Sequence, residues 1–151
     1  MKVGTRVEIR VFLKEDDDIS EVKKGLARLL PFDIETEKIG LEEQAAEGFN
    51  RKKITIFKVV LAKDRHINSF IRKLFARFTA RQKEMIHGQL ESRIDEGMNF
   101  FLRLDKESLI KEKSLQVTDE GNCYHITLRV AAYPRTKNAA KKVIQALLAS
   151  S

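Results

Sequence analysis

The chain has 151 residues, 42% of them hydrophobic and 34% charged, with 29 Lys and Arg against 22 Asp and Glu for a formal net charge of +7. That balance is expected of a single globular domain over residues 1–151, long enough to bury a core, and it contains no run of about 18 apolar residues that could span a membrane. The single cysteine, Cys123, excludes an internal disulfide framework and fits a reducing cytoplasm, while Met1 to Arg6 lead into alternating residues rather than the apolar block of a signal peptide.

Val7, Ile9, Val11 and Leu13 alternate with Glu8, Arg10 and Phe12, which predicts a half-buried strand. Asp16, Asp17 and Asp18 place negative charge where a helix start favours it. Ile19, Val22, Leu26, Leu29 and Leu30 follow at helical spacing until Pro31. Residues 32–39 read as a short strand, 40–50 as a polar loop and 54–61 as a firm strand rich in β-branched side chains. Asp64 is expected to cap a helix whose apolar face is Ile67, Phe70, Ile71, Leu74, Phe75 and Phe78. A second helix is expected over about 81–94 with Met85, Ile86 and Leu90, its continuity with the first left open at Thr79-Ala80.

Residues 99–104 read as a strand, 106–112 as a helical turn and 119–122 as a turn. Tyr124, Ile126, Leu128, Val130 and Ala132 then alternate along a long strand up to Tyr133-Pro134. Asn138 is expected to cap a final helix carrying Val143, Ile144, Leu147 and Leu148. This order implies an α+β fold, with an antiparallel or mixed sheet and helices packed on one face.

Charge is segregated along the chain. Residues 1–50 carry 8 basic and 12 acidic side chains, so the whole basic excess lies beyond them. From Arg65 to Lys83 there are Arg65, Arg72, Lys73, Arg77, Arg81 and Lys83 with no acid. After Glu120 there are Arg129, Arg135, Lys137, Lys141 and Lys142, again with no acid. Patches of this kind attract polyanions, although a merely solvated basic surface would look the same. Lys73, Arg77 and Arg81 recur every fourth residue, with Arg72 on the other flank, a spacing that would line cations along one helix for phosphate contacts. The same side chains could instead cover the edge of the core with their methylene stems.

A second constellation lies on the strands. Phe101, Arg103 and Asp105 share one strand face, and His125, Thr127 and Arg129 share another. If the two strands are neighbours, Phe101, Arg103, His125 and Arg129 stand together, an aromatic beside guanidinium groups on which unpaired bases stack. The competing use of Phe101 is a homodimer interface or a second small core. Cys123 and His125 alternate onto one face but lack the third and fourth ligands of a metal site. No phosphate loop, nucleotide-binding glycine fingerprint or nucleophile elbow is present, so neither a cofactor nor an enzymatic activity is expected.

The segment Ser92-Arg93-Ile94-Asp95 continuing to Asn99-Phe100-Phe101-Leu102-Arg103-Leu104-Asp105-Lys106 resembles the Arg-Ile-Asp and Phe-x-Leu-Arg-Leu-Asp-Lys element of the archaeal family of RNA-binding exosome-subunit proteins. Tyr133-Pro134-Arg135 matches that family's corner before its last helix. Where the family often continues with Gln-Ala-Ala, this chain has Glu107-Ser108-Leu109. The resemblance implies an α+β fold similar to the large-subunit ribosomal protein that binds 5S RNA. It also implies RNA binding and a link to exosome subunits in an archaeal cytoplasm, with no catalytic residues to carry over. It makes Arg103, Asp105 and Lys106 the polar members of the motif, either as an Arg–Asp pair holding a strand end or as an RNA contact.

The expected function is therefore non-catalytic RNA binding through Arg72, Lys73, Arg77, Arg81, Phe101, Arg103, Lys106, Arg129 and Arg135. The alternative is a protein–protein adaptor whose acidic N-terminal third (Asp16, Asp17, Asp18, Glu42, Glu43 and Glu47) meets a basic partner.

Overall fold

A computed structural model describes residues 2–48 and 52–151. The elements in chain order are β1 (Gly4–Leu13), α1 (Ile19–Leu29), β2 (Leu41–Glu47), β3 (Lys53–Leu61), α2 (Asp64–Arg77), α3 (Ala80–Gly88), α4 (Leu90–Arg93), β4 (Asn99–Asp105), α5 (Lys106–Lys111), β5 (Cys123–Val130) and α6 (Lys137–Ser150). The fold is α+β, with a five-stranded open antiparallel sheet in the order β2-β3-β1-β5-β4. The chain divides into two compact units. One comprises Met1–Val7, Leu61–Leu102 and Thr127–Ser151, the other Glu8–Val60 and Arg103–Ile126.

Each unit has its own apolar core, because strand alternation and helical periodicity put apolar side chains on facing surfaces. In the first unit Val7, Leu61, Phe100, Leu102, Leu128 and Val130 are buried, as are Ile67, Phe70, Ile71, Leu74 and Phe75 of α2 and Ala140 and Ile144 of α6. The Phe75 and Phe100 rings meet at 6.2 Å between centroids. In the second unit Ile9, Val11, Leu13, Phe57, Val59, Tyr124 and Ile126 are buried with Val22, Leu26 and Leu29 of α1. The Tyr124 hydroxyl donates to the Val22 carbonyl at 2.8 Å, which satisfies its only polar atom in the interior.

Several elements differ from the sequence expectation. Residues 32–39 form a turn, not a strand. Asp33 accepts from the Glu35 amide and the Thr36 hydroxyl, both at 3.1 Å, and the Ile39 amide closes onto the Ile34 carbonyl at 2.8 Å, a side-chain-directed turn that competes with extended pairing. The polar loop expected over 40–50 contains β2, with Leu41 opposite Val59, Gln44 opposite Ile56 and Glu47 opposite Lys53; Phe49 and Asn50 lie outside the described residues. This strand shows no apolar alternation because it is an exposed edge, where charged side chains discourage further pairing.

The expected helix over 81–94 is two helices, α3 and α4, divided at Gln89. Asp64 is the first residue of α2 rather than its cap, and Thr136, not Asn138, caps α6 by accepting from the Ala139 amide at 3.1 Å. The final strand ends at Val130. Among the described residues no helix is long and apolar enough to cross a membrane.

Candidate nucleic-acid interface

The first unit contains the helical cations. Arg72, Lys73 and Arg77 are exposed on α2. Arg81 is exposed too, but on a different helix. The chain turns extended at Phe78, and Thr79 then starts α3 with a reciprocal cap in which its hydroxyl accepts the Gln82 amide at 3.1 Å and the Gln82 side chain accepts the Thr79 amide at 2.9 Å. The stripe expected to run through Lys73, Arg77 and Arg81 therefore stops at Arg77. The signal was present in Thr79-Ala80-Arg81-Gln82, a capping-box spacing.

The acid-free C-terminal stretch is also partly neutralised in the folded chain. Glu91 of α4 meets Lys137 at 2.9 Å and Lys141 at 2.8 Å on α6. Their hydrogen bonds and charges hold its carboxyl down at about 2. Arg129 and Arg135 behave differently. Both are exposed and line a groove of about 480 Å³ together with Lys2, Thr5, Gly97 and Met98. Arg129 Nε reaches Asn99 Oδ1 at 3.4 Å, and Asn99 is itself fixed by Asp95, which accepts its amide at 2.9 Å and its side-chain nitrogen at 3.2 Å. Those bonds, with the Gly97 amide and the nearby Arg129 charge, outweigh desolvation and hold the Asp95 carboxyl below its usual range. Phe101 is half-buried on β4, and its carbonyl accepts from the buried Arg93 at 3.2 Å.

The second unit contains the polar members of the motif. Arg103 is exposed and donates to the Asp119 carbonyl at 2.9 Å. Asp105 does not serve as the partner of a strand-end pair; it caps α5, accepting from the Ser108 amide at 2.9 Å and hydroxyl at 2.6 Å. Lys106, expected to contact RNA, is only 2% exposed. Its ammonium donates to Asp17 Oδ2 at 3.0 Å and to the Phe12 carbonyl. It is an internal ion pair and cannot reach a ligand outside the fold. Burial of so long a cation requires a partner, and that partner was concealed within the run Asp16-Asp17-Asp18, whose third member caps α1 by accepting from the Ser20 amide at 2.9 Å.

β4 and β5 are neighbours in the sheet, as the expected strand constellation required. Its members are divided between the units, Phe101 and Arg129 in the first, Arg103 and His125 in the second. Within the second unit His125 is half-buried, and burial followed by the charges of Arg10 and Arg103 lowers its pKa against the opposing effect of Glu8. Arg10 and Arg103 belong to β1 and β4, the two strands that flank β5 in the sheet. Glu8 is engaged by Lys58 at 3.2 Å. Phe12, at the same strand parity as Glu8 and Arg10, is 40% exposed. Arg10 and Phe12 were missing from the sequence expectation, although an aromatic at a polar position of an alternating strand was the available signal. Burial pushes the Cys123 thiol up, and among the described residues no group of three His, Cys, Asp or Glu is placed to hold a metal.

A family model described as RNA binding matches residues 6–132. The chain belongs to this RNA-binding family. It is similar to a Pyrococcus abyssi protein named as an RNA-binding protein, with 23% identity over 139 residues that cover 92% of this chain and 90% of the relative. Among solved structures, a DUF54 protein of Methanothermobacter thermautotrophicus has 26% identity and a TM-score of 0.79, covering 97% of this chain and 98% of its own. A DUF54 protein of Archaeoglobus fulgidus, at 23% identity, has the same fold with a TM-score of 0.84, covering 95% of this chain and 99% of its own.

Proposed function

We propose that this protein binds RNA without turning it over, and that the outward strand residues of its second unit are a principal contact surface. The observation that carries this reading is that β5, the strand of His125, lies between β1 and β4, the strands of Arg10 and Arg103, with exposed Phe12 at the same parity of β1 as Arg10. Guanidinium groups reach phosphates and stack on bases, and an exposed aromatic on a strand offers a base its face. In the first unit, Arg72, Lys73, Arg77 and Arg81 add phosphate contacts from two helices, and Arg129 and Arg135 from the groove.

The non-catalytic part of the reading rests on three aspartates in the motif or in contact with it. Asp17 neutralises Lys106, Asp95 holds Asn99, and Asp105 caps α5. Each carboxylate already has a structural task. Delivery of RNA to exosome subunits is supported by the resemblance over residues 92–107 and 130–135.

The test is a titration of the protein with labelled single-stranded and duplex RNA over a range of salt concentrations. The expected log affinity falls linearly with log salt, and reversing Arg10 and Arg103 to Glu flattens that line. Failure of the wild-type protein to bind either RNA at low salt overturns the reading.

A further inference from the structure

We infer that the groove formed by Lys2, Arg129 and Arg135 in the first unit, with the adjoining Tyr133, is a subsite for one nucleotide of single-stranded RNA. The inference deepens the RNA-binding reading, and it is carried by residues outside the surface that carries that reading.

Three cations from separate chain segments line one concavity of about 480 Å³: Lys2 before β1, Arg129 on β5 and Arg135 beyond the strand. No acid lines it. Asp64 pairs with Lys2 at 3.6 Å, but both side chains are at least half exposed, so the pair is weak and screened. Asn99 bonds Arg129 Nε, which steadies the guanidinium while leaving its terminal nitrogens for a ligand. A convergent set of long cations with no lining acid is complementary to a phosphate.

Tyr133 lies between two groove-lining residues in sequence, Ala132 and Arg135, and is 96% exposed. An aromatic side chain this large gains little from standing in water and is more often partly covered. It lines a second concavity of about 390 Å³ together with Ala139, Lys142, Val143 and Ala146 of α6. A phosphate held by the three cations therefore has, close by in the chain, an aromatic face and an apolar shelf. Those are the needs of a base once it has left a stack. A duplex keeps its bases stacked and cannot use Tyr133, so the site selects a single strand.

The experiment has two arms on the full chain. In the first, amide and ring NMR signals are followed during titration with inorganic phosphate and with adenosine 5′-monophosphate. The expected result is that phosphate moves the Gly97, Met98, Ala131 and Arg135 amides, and the nucleotide moves these and the Tyr133 ring. In the second, RNA affinity is compared among wild type, R129E/R135E and Y133A, with thermal midpoints checking that each variant is folded. Y133A is expected to lose at least about fivefold in single-strand affinity with duplex affinity unchanged.

Shifts spread over all surface lysines, or variants that bind a single strand as well as wild type does, overturn the groove while RNA binding stands. A wild type that ignores RNA yet shows localised nucleotide shifts overturns the RNA-binding reading and supports the groove as a nucleotide site. Absence of both overturns both.

Discussion

Lys106 Nζ stands 3.0 Å from Asp17 Oδ2, and the same carboxylate oxygen accepts the Lys14 amide at 2.9 Å. The ammonium is almost wholly buried while the carboxylate keeps partial access to water. This pair joins the start of α5 to the turn before α1, so the Asp-Lys of the family-like motif acts within the fold. Breaking a buried pair from one side leaves a charge without compensation, which costs about 3–5 kcal/mol. Asp17→Ala, which leaves the buried Lys106 ammonium without its carboxylate, is expected to lower the urea midpoint by a corresponding amount. Lys106→Ala with Asp17→Ala should cost less than the sum of the single changes in a double-mutant cycle. Strict additivity would mean that the pair contributes nothing.

His125 and Asp17 are among the groups that give the protein an acid-sensitive stability. The His125 pKa is lowered by burial and by Arg10 and Arg103. The unfolded chain therefore takes up the proton first, and the associated stability is present above the ordinary imidazole value near 6.5 and lost as pH falls through the folded value. Asp17 follows at lower pH. Its partial burial raises its pKa, but the Lys14 amide and the Lys106 ammonium outweigh this, so the net value is lowered. Its contribution is present above the unfolded carboxylate value and lost as pH falls through the folded one. Urea midpoints measured from pH 7 to pH 5 are expected to fall for wild type and to fall less for His125→Asn. Parallel curves for the two proteins would exclude His125 as the source.

The helices and central strands were legible because their apolar periods are strong. The α2 face and the alternations of β1 and β5 each have a buried surface to fill, and the sequence displays it. β2 was not legible, since an edge strand held by backbone pairing to β3 needs no apolar pattern. The break between α2 and α3 is written in a cap rather than in periodicity, and the apolar residues alone run past it. At the candidate interface, the cations were visible but their partners were not. Glu91 lies about fifty residues before Lys141 and Asp17 about ninety before Lys106, distances over which a one-dimensional reading of charge runs has no information. Arg129 and Arg135 kept the exposure expected of them, whereas Lys106 lost it.

Gly25 has a packing role. A Cβ built on it would come within 2.2 Å of the Tyr124 hydroxyl and 3.0 Å of Cζ, and that hydroxyl is held by its bond to Val22. Alanine is the better helix former, so an exposed position would gain from the change. Here Gly25→Ala must displace a buried tyrosine, and overpacking costs typically about 1–3 kcal/mol. A fall in thermal midpoint is expected, and a rise would show that Tyr124 can move at no cost.

Thr79 separates the helices that carry Arg77 and Arg81. Thr79→Ala removes the oxygen that accepts the Gln82 amide and should cost about 1 kcal/mol, read as a lower urea midpoint at unchanged slope. Thr79→Ser retains that acceptor and should restore most of the loss. If Ser fails to rescue, the cap is not what stabilises this junction.

Phe12 and Phe101 allow stacking to be separated from packing. Phe12 is exposed beside Arg10 on β1, whereas Phe101 is half-buried and its strand is anchored by Arg93. Phe12→Ala is expected to leave the thermal midpoint nearly unchanged and to weaken single-stranded RNA binding by about 1–3 kcal/mol. The slope of log affinity against log salt should not move, because an aromatic face releases no counterions. Arg103→Glu should reduce that slope by about 0.7 for each phosphate of a single strand that the guanidinium no longer neutralises. Phe101→Ala should lower stability before it lowers affinity, and sedimentation of the same variant decides its competing use. A change from dimer to monomer assigns Phe101 to a subunit interface, while an unchanged oligomeric state with weaker binding assigns it to RNA.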